Sequence, residues 1–75
     1  MATVTIEYCE PCGLKQPAEE VKQELRENLE LEVELEPGDG GVFRVYVDGE
    51  EVYDKADHGN KIKTEEIQNA VEAGV

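Results

Sequence analysis

Thr3-Val4-Thr5-Ile6-Glu7-Tyr8-Cys9-Glu10-Pro11-Cys12 carries the chain's only two cysteines directly behind a short alternating run. Val4, Ile6 and Tyr8 fall on one side of that run and Thr3, Thr5 and Glu7 on the other, which is the period of a strand. From about Leu14 to Leu29 the pattern is that of a helix. A strand that delivers Cys-x-x-Cys to the start of a helix is the arrangement of a thiol–disulfide redox site. Two intervening residues in a turn let the sulfurs approach to bonding distance. One thiolate attacks a substrate disulfide and the other sulfur resolves the mixed disulfide. The helix N-terminus favours thiolate over thiol, and Pro11 restricts the turn. Glu7 and Glu10 work against this, because a carboxylate near a sulfur raises its pKa. Lys15 offsets them in part. The expectation is a weakly activated dithiol with Cys9 and Cys12 as the catalytic pair.

Two other uses of the cysteines compete with redox chemistry. A permanent structural disulfide of this spacing closes a very small ring, so it restricts the unfolded chain little and makes a poor staple. A tetrahedral zinc site needs four ligands, and beyond Cys9 and Cys12 the chain offers only His58 and carboxylates. His58 would have to fold back onto the turn, or a dimer would have to supply four sulfurs. His58, between Asp57 and Gly59, reads instead as a solvated loop residue. No metal and no cofactor are expected.

The remaining segments define the fold. Pro17 suits the first turn of a helix, and Leu14, Ala18, Val21, Leu25 and Leu29 form its apolar stripe. Leu31, Val33 and Leu35 alternate with Glu30, Glu32, Glu34 and Glu36 in a second strand. Pro37-Gly38-Asp39-Gly40-Gly41 reads as a loop. A third strand runs from Val42 to Asp48, with Phe43, Val45 and Val47 on one face and Arg44 and Tyr46 on the other. Asp48-Gly49 is a hairpin turn into a short fourth strand near Glu51 to Lys55. A loop through His58 leads to a second helix with Thr64 as N-cap and Ile67, Ala70 and Val71 buried. Strict alternation means that both helices cover one face of the sheet and the other stays open. The expected architecture is α+β, a βαβββα chain with a four-stranded mixed sheet of order 2-1-3-4, in a single domain over residues 1–75. In that order the second-to-third connection crosses the end of the first strand, about 10 Å, whereas a simple hairpin between those strands is the alternative.

Tyr8-Cys9-x-x-Cys12, Gly41-x-Phe43, Val47-Asp48-Gly49, Val52-Tyr53-Asp54-Lys55 and Gly59 occur here in one order across nearly the whole chain. In these motifs the sequence resembles the selenoprotein W-like (Rdx) family of thioredoxin-like redox proteins. The resemblance implies a small thioredoxin-like redox protein. Selenium-containing relatives carry selenocysteine at the second motif position, which makes Cys12 the implied reactive atom. Position at a helix start favours Cys9 instead, so both assignments stand. The chain departs from the family at Asn60-Lys61-Ile62, where a basic-aromatic-Pro stretch is usual. It also offers no counterpart of thioredoxin's cis-proline, since Pro37 lies too early.

With 19 acidic residues against 7 Lys and Arg, the formal net charge is -12. Such a chain repels nucleic acid and anionic membranes, and no apolar segment is long enough to span a bilayer. No signal-peptide pattern opens it, and a lone cysteine pair fits a reducing cytoplasm. The expected partner is a protein or low-molecular-weight thiol or disulfide, met by a monomer. Regular apolar periodicity argues against disorder, and the acid surplus reads as adaptation to a salt-rich interior. Screening of self-repulsion should therefore raise the thermal midpoint across a potassium chloride series. A midpoint that stays flat or falls up to molar salt would remove the salt-adaptation reading.

Overall fold

Strand β1, Thr3–Cys9, lies inside the sheet with a neighbour on each side. The computed structural model describes residues 3–59 and 61–74, so Asn60 and the side chain of His58 lie outside what is described. After β1 come helix α1 (Lys15–Leu29), strands β2 (Glu32–Gly38), β3 (Phe43–Val47) and β4 (Glu50–Asp54), a 3-10 helix (Lys55–His58) and helix α2 (Thr64–Gly74). Among the described residues the sheet is four-stranded in the order β2-β1-β3-β4. β1 runs parallel to β2 and antiparallel to β3, and β3 pairs antiparallel with β4. This is the expected order, and the hairpin alternative between β2 and β3 is excluded.

The core forms where the alternation places it. Val4, Ile6 and Tyr8 of β1, Phe43, Val45 and Val47 of β3, and Val33 of β2 are buried against Ala18, Val21 and Leu25 of α1 and Ile67 and Val71 of α2. α1 packs on β1 and β2, α2 packs on β3 and β4, and the two helices touch. The opposite face carries Glu32, Glu34, Glu36 and Arg44, all exposed, with Thr5, Glu7 and Tyr46 half-buried. Asp48 and Gly49 both have positive φ, 51° and 86°, the backbone of a tight two-residue turn that matches strand twist.

Several boundaries differ from the sequence expectation. Glu30 does not open β2; it ends α1 in the left-handed region at φ 54°, its N–H donating to the Arg26 carbonyl. β2 instead continues through Pro37 and Gly38, because it follows β1 to its last residue, Cys9 opposite Gly38. Lys55 to His58 is a 3-10 helix rather than strand and loop. The Asp54 carboxylate accepts the Ala56 N–H at 3.0 Å and caps that helix. This bond is the main reason its carboxyl sits below the usual range; burial opposes it slightly and Arg44 reinforces it. Thr64 is the first residue of α2 rather than its cap. A register shift between Val45 and Tyr46 brings Tyr53 opposite Val45 on the core side. The buried Tyr53 donates its hydroxyl to the Lys61 carbonyl at 3.0 Å, and desolvation raises its pKa.

Ile67 is fully buried where α2 meets the sheet. Ile67→Val should cost about 1 kcal/mol and Ile67→Ala about 2–5 kcal/mol, read from urea unfolding midpoints. Small, equal losses for the two variants would mean that α2 is not packed as described.

Candidate functional site

β1 ends on Cys9, whose side chain is fully buried, and the following turn carries Cys12, which is exposed. A disulfide joins them across a Cα separation of 5.3 Å, within the range such a bond requires. The backbone fixes Cys9 from several directions. Its N–H donates to the Val42 carbonyl at 2.7 Å, and its carbonyl accepts the Leu14 N–H at 3.2 Å. Beside it, the Glu10 N–H donates to the Gly38 carbonyl at 3.1 Å and the Gly13 N–H to the Glu10 carbonyl at 3.1 Å.

These bonds correct one expectation. Neither cysteine occupies the first turn of α1. Residues 10–14 are bonded back onto the strand end, so helical bonding begins only when the Ala18 N–H reaches the Leu14 carbonyl. Cys9 is therefore a strand residue, and the thiolate-favouring amides at the start of α1 lie beyond the turn that holds Cys12. Lys15 opens the helix with its side chain exposed.

Of the two acidic neighbours, Glu10 is exposed and Glu7 is half-buried. The Tyr46 hydroxyl donates to Glu7 Oε1 at 3.2 Å. Tyr46 and Asp54 together hold the Arg44 guanidinium above its ordinary pKa, Tyr46 the larger influence. Gly38 has an ordinary backbone, yet a Cβ there would meet Val42 Cγ1 at 3.0 Å and both Cγ and Oε2 of Glu7 at 3.3 Å. Its missing side chain makes room for the Glu7 carboxylate and the crossing loop. Pro37 stands beside the cysteine turn, sharing an open hollow with Glu10, Pro11, Gly38 and Asp39. Among the described residues every peptide bond is trans, Pro37 included.

Sequence reasoning found the two cysteines but not Gly38, Val42 or the Tyr46–Glu7 link. Strand pairing brings Gly38 to Cys9, the crossing loop brings Val42 there, and Tyr46 reaches Glu7 diagonally across β1 and β3. Among the described residues no group of three or more His, Cys, Asp or Glu side chains is arranged to hold a metal ion. No helix there is long and apolar enough to cross a membrane.

A two-helix, four-stranded layer with a Cys-x-x-Cys disulfide at the first strand-to-helix turn defines a thioredoxin-like fold class. A family model described as the Rdx family matches residues 3–73. The chain belongs to the Rdx family, as its motif order implies. It is 32% identical over 57 residues to "Migration and invasion enhancer 1" of Bos taurus, covering 75% of this chain and 50% of that protein. Against the protein of the same name from Mus musculus it is 26% identical over 69 residues, 91% of this chain and 60% of that one. The chain thus spans between half and three-fifths the length of these curated relatives. A crystal structure of a Bordetella parapertussis protein superposes with a TM-score of 0.88 at 30% identity, covering 99% of this chain and 98% of that one. A selenoprotein W-related protein from Vibrio cholerae shares the fold with a TM-score of 0.88 at 23% identity, covering 96% and 94% of the two chains.

Oxidised protein should remain monomeric and lose two hydrogens on forming the Cys9–Cys12 bond, reversibly under mild reductant, as mass spectrometry would record. Oxidation that gives only intermolecular dimers would contradict the site geometry.

Proposed function

We propose that the chain is a small thiol–disulfide oxidoreductase in which Cys9 and Cys12 cycle between dithiol and disulfide. The observation that carries this reading is the disulfide between a buried strand-end sulfur and an exposed turn sulfur, in a member of the Rdx family. In the reducing direction, the Cys12 thiolate attacks a partner disulfide, forms a mixed disulfide and releases one partner thiolate. The Cys9 thiol then loses its proton, attacks the Cys12 sulfur and releases the second partner thiolate. Two electrons pass to the partner, and the chain is left with its internal disulfide. Exposure favours Cys12 as attacker, since access and thiolate fraction set the rate.

The partner is a protein or low-molecular-weight thiol or disulfide, approaching over the exposed turn rather than entering a cavity. The unit acts as one domain in a reducing, salt-rich cytoplasm, a placement that rests on the lone cysteine pair and the charge of -12. Substoichiometric protein should reduce an excess of disulfide substrate, and Cys9→Ser or Cys12→Ser should each bring turnover to the background rate. The Cys9→Ser variant should accumulate mixed disulfides through Cys12, and Cys12→Ser far fewer. Stoichiometric reduction without turnover would instead indicate a binding module whose disulfide switches recognition. Preferential trapping by Cys12→Ser would reverse the roles of the two sulfurs.

A further inference from the structure

Glu7 precedes Cys9 by two residues in β1, so the strand pleat directs both to the same side. Glu7 Oε1 accepts the Tyr46 hydroxyl at 3.2 Å, and its Oε2 lies 3.3 Å from where a Gly38 Cβ would stand. Gly38 is the register partner of Cys9, about 4.8 Å away across a strand pair. One carboxylate oxygen thus lies beside the register partner of Cys9, in space that a side chain at position 38 would contest. We propose that Glu7 divides the labour between the two sulfurs: its anchored carboxylate opposes a Cys9 thiolate and so leaves Cys12 the attacking sulfur. This role rests on the dithiol cycle proposed above and makes Glu7 a positioning residue that acts through Cys9.

The other charges around Cys9 do not share that placement. Glu10 in the turn, Asp39 in the crossing loop, Lys15 at the start of α1 and Glu36 opposite Glu7 in β2 are all exposed, where water and salt screen them. Arg44, opposite Glu7 in β3, turns its Nε to Asp54 at 3.2 Å and Glu51 at 3.4 Å on β4 and also bonds the Tyr46 side chain. Lys55 lines the hollow that Glu7 and Arg44 share, so these two cations temper the Glu7 charge from the side away from Gly38. Burial and Glu7 still act on Cys9 in the same direction, both disfavouring the charged sulfur. The effect enters both directions of exchange. In resolution, Cys9 must lose its proton before it attacks Cys12. In reductive opening, a thiol reductant attacks the Cys12 sulfur, and Cys9 leaves with the electron pair of the broken bond as a thiolate that then takes a proton from water.

The test is alkylation against pH in single-cysteine variants, with Glu7→Gln added. In Cys12→Ser, Glu7→Gln should lower the apparent pKa of Cys9 by about one unit. In Cys9→Ser, the same change should move Cys12 by less than half as much. Glu34→Gln removes an equal charge from the same face, opposite Thr5, and should leave Cys9 where it was. Tyr46→Phe, which frees the carboxylate to turn toward water, should shift Cys9 in the same direction as Glu7→Gln by a smaller amount. With both cysteines present, Glu7→Gln should open the disulfide about threefold faster under dithiothreitol, because a lower-pKa thiol leaves faster. A Cys9 value unmoved by both Glu7→Gln and Tyr46→Phe overturns the proposal, as does an equal shift from Glu34→Gln or at Cys12. Circular dichroism confirms that each variant is folded. Failure of the oxidoreductase reading would appear separately, as absent turnover in the unsubstituted chain, because the Cys9 titration needs none.

Discussion

The 2.7 Å hydrogen bond from the Cys9 N–H to the Val42 carbonyl is the point where topology and chemistry meet. β1 has β2 on one side and β3 on the other, so the chain leaving β2 must pass the end of β1 to reach β3. β2 is parallel to β1, and that passage therefore occurs at the cysteine end. Residues 39–42 make the crossing, and Val42 closes it onto Cys9. The turn 10–14 reaches the same place from the other direction, with Leu14 bonded to the Cys9 carbonyl. Two connections converge on one residue, and Val42 of the crossing loop, together with the Glu7 side chain, leaves only tight space for a Cβ at Gly38, opposite Cys9.

The same topology separates the apolar and charged faces. Every fully buried strand residue except Cys9 faces the helices, while the edge strand β2 lines the open side with Glu32, Glu34 and Glu36. Charged side chains on an edge strand disfavour pairing with another chain, so part of the acid surplus protects the sheet. Arg44 offers a local counterweight, joined to Asp54 and Glu51 across β3 and β4. Exposed pairs of this kind contribute little individually. The open face remains dominated by unneutralised carboxylates, and ionic strength is the variable that reaches them.

Strand and helix periodicity made most of this fold legible. β1 and β3 each bury one residue in two, and α1 buries Ala18, Val21 and Leu25 at three- and four-residue steps. Legibility ended where a residue's role depends on partners distant in sequence. Glu30 fits the alternation of β2, yet the stop of α1 claims it as a left-handed cap. Pro37 and Gly38 carry turn chemistry, but pairing with Tyr8 and Cys9 keeps them in the strand. The 3-10 helix depends on an Asp54 cap that also answers to Arg44 ten residues earlier. At the site, the cysteine spacing was plain, whereas the burial of Cys9 and the anchoring of Glu7 by Tyr46 come from strand pairing and loop crossing between segments distant in sequence.

The asymmetry between the sulfurs follows from what each backbone can do. Cys9 is a sheet residue whose N–H and carbonyl are both engaged, so a change of redox state cannot move it without breaking the crossing-loop contact. Cys12 belongs to a turn with its side chain in solvent, and that turn can absorb the separation of the sulfurs when the bond opens. A disulfide spanning so short a loop constrains the unfolded chain by about 2 kcal/mol, less than a long-range bridge would. The core is built from residues of all four strands and both helices, without help from the disulfide. The fold holds one sulfur fixed and buried and presents the other, the arrangement that the proposed exchange at the turn requires, with the sheet beneath staying in place.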